Sequence, residues 1–312
     1  MPSEPFVHLR VRSGYSLLTG ALRPDELVKL AAADGQPAVA MTDHANMFGA
    51  LEFAQVAAKT GVQPIHGCLL PLLIDDGQPR RSLPDDDLPQ ILLLAQNETG
   101  YGHLLALQTA AYLSEGREQV AVTLDDLAAH SDGVLALSGM LDGPLARPLQ
   151  RGQDEQAEVI LGALKAIFAE RLYIEIQRHG LDGQAALEEA MIALAFAHDL
   201  PLVATNDVRF ADDSMFAPHD ALMCIAESTI VTQDERTRVS PEHRFKSVED
   251  MRALFADLPE AIANTAVIAR RCAYLSPARD PILPPFDTAG GRNEAQELRA
   301  QAEEGLEERL EH

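Results

Sequence analysis

The chain has 312 residues, of which 46% are hydrophobic and 5% aromatic, and its formal net charge is −23. This acidity argues against a nucleic-acid-binding surface on the chain itself, because contacts with phosphate groups need Lys and Arg. No apolar run is as long as a membrane span, no charged-then-apolar leader opens the chain, and the three cysteines lack C-x-x-C spacing, so we expect a soluble protein of the reducing cytoplasm.

Short apolar runs alternate with helical periodicity along the chain, which is typical of an α/β fold. Pro24 fits the first turn of a helix that runs to Ala33, and Gly35 is expected to end it. Strands are predicted at 7–11, 38–42, 63–74, 91–95, 134–137, 172–177 and 202–205. The other predicted helices are 51–60, 100–114, 155–170, 184–198 and 214–226. This pattern alone allows either a barrel or an open sheet.

Three stretches lack helical or strand periodicity and indicate loops. Residues 75–89 contain several prolines and an acidic run, 229–243 is polar, and 276–291 is rich in Pro, Gly and Ala, as expected of a linker. The predicted organisation is a domain over 1–275, a linker over 276–291, a charged helix over 292–309 and a purification-tag remnant over 310–312.

The most informative motif is FVHLRVRSGYSLLTG at residues 6–20. It resembles the opening motif of a PHP (polymerase and histidinol phosphatase) domain, in the form found at the N-terminus of bacterial replicative DNA polymerase III alpha subunits. In active members this motif carries an H-x-H pair and an Asp that bind metal. Here the pair is Arg10 and Arg12, and the Asp position is Thr19. A guanidinium group has no lone pair for a metal at any accessible pH.

Further motifs of the same family follow in the family's order, so the resemblance covers nearly the whole chain. They are AMTDHANMFG at 40–49, LLAQNETGY at 93–101, LALSG at 135–139, EIQRHG at 175–180, ATNDVRF at 204–210 and HDALMCI at 219–225. Each motif is weak alone, but their shared order makes the resemblance strong. It implies an α/β fold, specifically a distorted (β/α)7 barrel of the PHP type.

The resemblance also implies where the family's metal ligands fall. PHP enzymes hold divalent ions with about nine His, Asp, Glu and Cys ligands at the barrel mouth, where the ions activate water and clamp phosphate. The corresponding positions are Arg10, Arg12, Thr19, His44, Leu69, Gln90, Met140, Asp207 and Arg209. Only His44 and Asp207 keep ligand side chains, with Asp43 and His179 as further candidates nearby. Two ligands are too few for a catalytic cluster, so we expect neither metal nor catalytic residues here.

The arginines suggest what replaced the metal. Removing divalent ions from a buried site strands its carboxylates, at a cost of several kcal/mol. We therefore expect the guanidinium groups of Arg10, Arg12 and Arg209 to converge on the former metal site, where at least one pairs with Asp207 or Asp43. Leu69 and Met140 would fill the remaining space with apolar packing.

The resemblance implies a metal-free, inactive PHP domain, without a cofactor of its own, inside a larger DNA-directed DNA polymerase. Its expected roles are to support the polymerase body and to dock the proofreading exonuclease subunit, alongside other replicase subunits. DNA would be bound mainly by the rest of the polymerase, whose palm would use Mg²⁺ for nucleotidyl transfer in DNA replication. No membrane contact is expected.

Two alternatives stay open at this point. One is an active metal-dependent PHP phosphoesterase, acting as a 3′–5′ exonuclease or a pyrophosphatase, which metal analysis would distinguish. The other is a free-standing enzyme similar to histidinol phosphatase. It fits less well, because it would need the H-x-H pair and would have no use for the charged helix that follows Gly291.

Overall fold

A computed structural model describes residues 5–74, 88–114, 119–281, 283–288 and 291–311. Most of the predicted loop 75–89 therefore lies outside the described residues. The chain divides into two compact units, Met1–Ser276 and Pro277–His312. Across the described ranges, none of the helices combines the length and the apolar character needed to cross a bilayer.

The first unit is built on one sheet, to which the described residues contribute seven strands. They are β1 (Ala38–His44), β2 (Gln63–Leu73), β3 (Gln90–Ala95), β4 (Val122–Thr123), β5 (Val134–Leu137), β6 (Leu172–Ile176) and β7 (Leu202–Ala204). The order is β1-β2-β3-β5-β6-β7, and β4 pairs with β2. Pairing is parallel except at β3, which runs antiparallel to both β2 and β5. This reversal distorts what would otherwise be an all-parallel sheet.

The N-terminal segment 8–12 closes the sheet into a curled barrel. The carbonyl groups of His8 and Val11 accept hydrogen bonds from backbone N–H groups of β1, both at 2.8 Å. On its other side the segment exchanges two backbone hydrogen bonds with Val208, at 2.8 and 3.1 Å, just beyond β7. The predicted strand 7–11 needs correction: the segment is extended but forms only an isolated bridge, because three residue steps from His8 to Val11 stand against two steps of β1 and interrupt the regular ladder.

Helices lie before, between and after the strands. They are α1 (Pro24–Ala33), α2 (Ala50–Thr60), α3 (Glu98–Leu113), α4 (Leu124–Ala129), α5 (Ala146–Gln150), α6 (Asp154–Phe168), α7 (Gln184–Ala197), α8 (Phe216–Ala226), α9 (Val248–Leu254) and α10 (Pro259–Arg271). Pro24 begins α1 and Gly35 follows it at φ +70°, as predicted. The Asn97 side chain accepts from the Gly100 N–H at 2.9 Å, so α3 begins earlier than the predicted 100–114.

The prediction missed some elements, for different reasons. Helices α4, α5 and α9 are five to seven residues long, which is too short to show helical periodicity. Helix α10 has both a proline in its first turn and an apolar face, and these features are local sequence signals of a helix. The predicted loop 229–243 is confirmed as irregular up to a short 3-10 turn at Pro241–His243.

The barrel interior is filled by apolar side chains from several strands. Its members include Leu9, Ala40, Ile65, Leu69, Leu92, Leu94, Leu135, Leu137, Tyr173 and Val203. Val7 and Leu9 belong to this inner cluster, whereas Val11 packs with residues of α1 and α2. The usual strand alternation therefore shifts by one residue after Leu9. This shift leaves Arg10 and Arg12 on the inner side.

The second unit holds the described part of the predicted linker and helix α11 (Glu294–Leu310). Asn293 and Gln296 form a capping box at the start of this helix. None of the described α11 residues is buried. Leu310, the first residue of the predicted tag remnant, continues the helix, while His312 lies outside the described residues and the tag stays a prediction.

Candidate functional site

Arg10 lies at the centre of a cluster of charged side chains and is 1% exposed. Its Nε donates to Asp207 Oδ1 at 3.1 Å, and its Nη1 donates to Glu175 Oε2 at 3.1 Å. Its Nη2 donates to Asp142 Oδ2. The single guanidinium group of Arg10 thus joins three carboxylates. Asp142 follows β5, Glu175 lies within β6, and Asp207 follows β7. Charge-assisted hydrogen bonds of this kind are among the strongest in proteins.

Asp207 accepts hydrogen bonds from all three arginines that stand at ligand positions implied by the resemblance. Its Oδ1 accepts from the Nε groups of Arg10 and Arg12, at 3.1 and 3.0 Å, and its Oδ2 accepts from Nε and Nη2 of Arg209, at 3.1 and 2.9 Å. Its φ of +42° lies in the left-handed region, which is uncommon for residues other than glycine, although Asp adopts it more often than most. The predicted convergence of the three arginines is therefore observed.

The electrostatics of Asp207 follow from these contacts. Burial acts to raise the pKa of its carboxyl group, but the guanidinium groups of Arg12, Arg209 and Arg10 outweigh burial and hold the pKa well below its usual range. Asp207 is therefore ionised in the folded protein at neutral pH.

The charges of the cluster balance. Arg10, Arg12 and Arg209 face Asp142, Glu175 and Asp207, and Arg12 Nη2 lies 3.7 Å from Asp142 Oδ2. Burial and the nearby Arg209 lower the pKa of Arg12 to about 10, which leaves it protonated at neutral pH. A neutral, mutually hydrogen-bonded set of ions can remain buried where an unpaired charge could not.

Two members of this cluster were missed from the sequence. Glu175 stands in the otherwise apolar strand LYIEI and is fully buried, where it also accepts from Gln177 Nε2 at 2.9 Å and from Thr205 Oγ1. A lone charge inside a buried strand is a usable signal, because such a charge needs partners. Asp142 lies in a turn after β5, and no pattern around it indicates its role.

Asp43 is held by serines and not by arginines. Its carboxylate accepts from the Ser13 N–H at 2.7 Å, from Ser13 Oγ at 2.8 Å and from Ser16 Oγ at 2.6 Å. Burial raises the pKa of Asp43, and these hydrogen bonds act in the opposite direction. Of the two carboxylates considered from the sequence, only Asp207 is thus paired with arginine.

The other polar candidates are not assembled into a ligand set. His44 Nε2 is buried and has no hydrogen-bond partner among the described residues, and burial together with Arg12 lowers the pKa of His44 to about 4. Thr19 Oγ1 donates to its own turn, at Ser16 O (3.2 Å). His179 Nε2 is 2.6 Å from the carbonyl oxygen of Asn206, and its ring stacks on His243 at 3.9 Å between centroids.

The remaining ligand positions are buried and fill space. Leu69 belongs to the inner apolar cluster. Met140 is fully buried, and its Sδ accepts the N–H of Gln177 at 3.0 Å. The N–H of Gln90 donates to the carbonyl oxygen of Asp142 at 2.7 Å. The Oε1 atom of Gln90 is buried without a hydrogen-bond partner in the described part of the chain.

These residues do not fit the metal cluster of the family. Both oxygens of Asp207 already accept from guanidinium groups. Within the described ranges, no group of three or more His, Cys, Asp or Glu side chains is arranged to hold a metal ion. The carboxylate charges that would attract a divalent cation are already balanced by Arg10, Arg12 and Arg209.

Comparison with known proteins places the chain in a family. The family model "PHP domain" matches residues 8–179. The chain belongs to the PHP family. This PHP domain is 50% identical over 309 residues to DNA polymerase III subunit alpha of Caulobacter vibrioides, and 38% identical over 311 residues to that of Escherichia coli K12. The resemblance inferred from the motifs is confirmed.

The alignments cover 99% of this chain but only 27% and 26% of those two relatives. The PHP domain thus spans about a quarter of the length of the curated relatives it matches. Among solved structures, it is similar to an amidohydrolase from Chromobacterium violaceum, with 17% identity and a TM-score of 0.41, covering 65% of this chain and 87% of that chain. A two-domain protein from Bacteroides vulgatus, described as containing a PHP-like metal-dependent phosphoesterase, has 12% identity and a TM-score of 0.38, covering 86% and 63%.

Proposed function

We propose that this PHP domain is a metal-free, non-catalytic module of a replicative DNA polymerase alpha subunit. The observation that carries the proposal is the neutral cluster formed by Arg10, Arg12, Arg209 and their carboxylate partners. Four of its six members, Arg10, Arg12, Asp207 and Arg209, stand at positions where the resemblance implies the metal ligands of PHP enzymes. The arginines neutralise the carboxylates, as the metal ions do in an active member of the family.

In an active PHP enzyme the metal ions also activate water, and arginine cannot do this. Phosphate-ester hydrolysis in such sites depends on a metal-bound water whose pKa the ion lowers. A guanidinium group offers hydrogen bonds and charge but no coordination site for water. Both oxygens of Asp207 are occupied, and the low pKa of His44 leaves it neutral. The cluster therefore has a structural role. It links the N-terminal segment to Asp142 after β5, to Glu175 in β6 and to Asp207 after β7.

The wider role rests on the relatives that the PHP domain resembles. The parent protein would be a DNA-directed DNA polymerase of the cytoplasm, acting in DNA replication, with DNA contacts and Mg²⁺-dependent nucleotidyl transfer in regions outside this chain. The domain would support that body and dock the proofreading exonuclease subunit through a protein surface. Its net charge of −23 favours a partner with basic residues, mainly through faster association.

Metal analysis tests the inactive state. Tag-free protein incubated with Mn²⁺ or Zn²⁺ and then desalted should retain far less than one ion per chain by mass spectrometry. It should hydrolyse neither single-stranded DNA nor pyrophosphate with Mn²⁺, Zn²⁺ or Mg²⁺. A stoichiometric ion, together with hydrolysis that is lost in His44→Ala, would establish the alternative phosphoesterase function.

Calorimetry tests the docking. The full-length alpha subunit should bind its cognate exonuclease subunit with a Kd tighter than about 50 micromolar, or roughly 6 kcal/mol. Deleting the PHP domain should abolish the binding heat, while Leu69→Val should change it only as far as it changes folding. Unchanged binding after the deletion would place the docking site elsewhere in the polymerase.

A further inference from the structure

Exposed aliphatic side chains lie at the end of helix α8 and in the loop that follows it. Ile225, Ile230 and Val231 are 67%, 65% and 52% exposed, although they lie within seven residues of one another. The sequence predicts only an irregular polar loop in this region. Large aliphatic side chains that are grouped on a surface indicate a site of protein contact.

The loop is fixed to α8 by a two-pronged ion pair. Nη1 and Nη2 of Arg236 donate to the two carboxylate oxygens of Asp220, both at 2.6 Å, and the Arg236 side chain is only 3% exposed. The same guanidinium group reaches the carbonyl oxygen of Val231 at 3.4 Å. The N–H of Thr229 donates to the carbonyl oxygen of Cys224 at 2.9 Å. These bonds hold the loop in one conformation before any partner arrives.

The loop and its anchor carry an excess of negative charge. Glu227, Asp234 and Glu235 lie within residues 225–238, and Asp220 lies beneath them on α8. Arg236 is taken up by Asp220, and Arg238 lies 3.7 Å from Asp234. Glu227 Oε2 accepts the N–H of Thr237 at 3.3 Å. Four acids against two arginines leave this edge acidic.

We infer that residues 225–238, the docking edge, bind a peptide segment of a partner subunit in which Lys or Arg flank aliphatic side chains. The aliphatic side chains would cover Ile225, Ile230 and Val231, and the basic ones would meet Glu227 and Glu235. A loop already held by Arg236 loses little conformational freedom on binding, which favours affinity. The inference rests on the proposed docking function and assigns it a surface.

The test uses the full-length alpha subunit and its cognate exonuclease subunit. Hydrogen exchange should show protection of 225–238 when the exonuclease is added. The variant Ile230→Asp should weaken binding at least about tenfold, because it places a charge in the centre of an apolar contact. Val159→Asp is the matched control, since Val159 on α6 is 66% exposed, and it should leave the Kd unchanged.

Two further measurements separate the apolar and electrostatic parts. Arg236→Ala should speed hydrogen exchange in 229–238 and weaken binding, while hydrogen exchange in the strands of the barrel stays unchanged. Glu227→Gln with Glu235→Gln should slow association and reduce its salt dependence, with a small effect on dissociation.

The outcomes distinguish the surface from the function. Weaker binding of Ile230→Asp, with protection of the docking edge, supports both. Unchanged binding of Ile230→Asp, or protection confined to other surfaces, overturns the docking edge and leaves the proposed exonuclease docking in place. No binding by the unmodified subunit refutes the docking function and the surface assignment together.

Discussion

Two buried carboxylates on opposite sides of the N-terminal segment are stabilised in different ways. Asp207 pairs with three guanidinium groups, whereas Asp43 accepts hydrogen bonds from two serines. The neighbouring residues Arg12 and Ser13 make this difference, because successive side chains of an extended segment point to opposite sides. Arg12 reaches Asp207 and Ser13 reaches Asp43.

The comparison shows two ways of keeping a carboxylate buried in one fold. At Asp207 the ionised form is favoured, because fixed positive charges outweigh burial and lower the pKa. At Asp43 burial outweighs neutral donors and raises the pKa. The pKa values of two carboxyl groups in one fold are thus shifted in opposite directions. Each group should therefore change the pH dependence of stability in its own direction.

Removing Asp207 should have the largest effect. Asp207→Ala leaves the buried Arg10 and Arg12 without their shared acceptor and should lower the free energy of unfolding by about 3–5 kcal/mol, as measured by urea denaturation. Asp213→Ala is the control, because Asp213 is an exposed partner of Arg244 and should cost less than about 1 kcal/mol. Equal losses in the two variants would show that the arginine cluster does not stabilise the fold.

Changing Asp43 should have an intermediate effect. Asp43→Asn replaces one acceptor oxygen with an NH₂ group, so a donor from Ser13 or Ser16 is left unpaired, at a cost of roughly 1–3 kcal/mol in urea unfolding. The matched exposed change is Asp212→Asn, where solvent replaces the lost acceptor and the loss should be smaller. If Asp43→Asn destabilises the protein as much as Asp207→Ala, charge pairing and hydrogen bonding are equivalent here and the comparison fails.

The pH dependence should show the smallest effect and should have opposite signs at the two sites. The folded pKa of Asp207 is lowered, so its contribution is present above the unfolded pKa of about 3.9 and is lost as pH falls below it. The folded pKa of Asp43 is raised, so its contribution is present below about 3.9 and is lost as pH rises through the folded pKa.

Urea denaturation between pH 3 and pH 6 checks these signs. Relative to the unmodified protein, Asp207→Asn should lose less stability on acidification, because the variant no longer has that carboxylate to protonate. Asp43→Asn should lose more stability on acidification. The unmodified protein gains stability when Asp43 is protonated, and the variant lacks this gain. Parallel curves for the two variants would contradict the assigned pKa directions.

The sequence by itself determined the family and most helices and strands, and it shows arginine at both positions of the motif where the resemblance implies a metal-binding histidine pair. These conclusions rest on local features: the motif at residues 6–20, apolar periodicity, and the presence of arginine where histidine would bind metal. The convergence of Arg10, Arg12 and Arg209 could also be predicted, because their motif positions already belong to one site.

The tertiary structure alone decided which groups the arginines meet. Glu175 and Asp142 lie 165 and 132 residues from Arg10 in the sequence, and neither has a ligand role in the motifs. The serine cradle of Asp43 and the barrel closure by residues 8–12 likewise depend on which segments become neighbours. Periodicity shows which side of a strand is buried, but the partner of a buried charge is fixed only when distant strands close on one another.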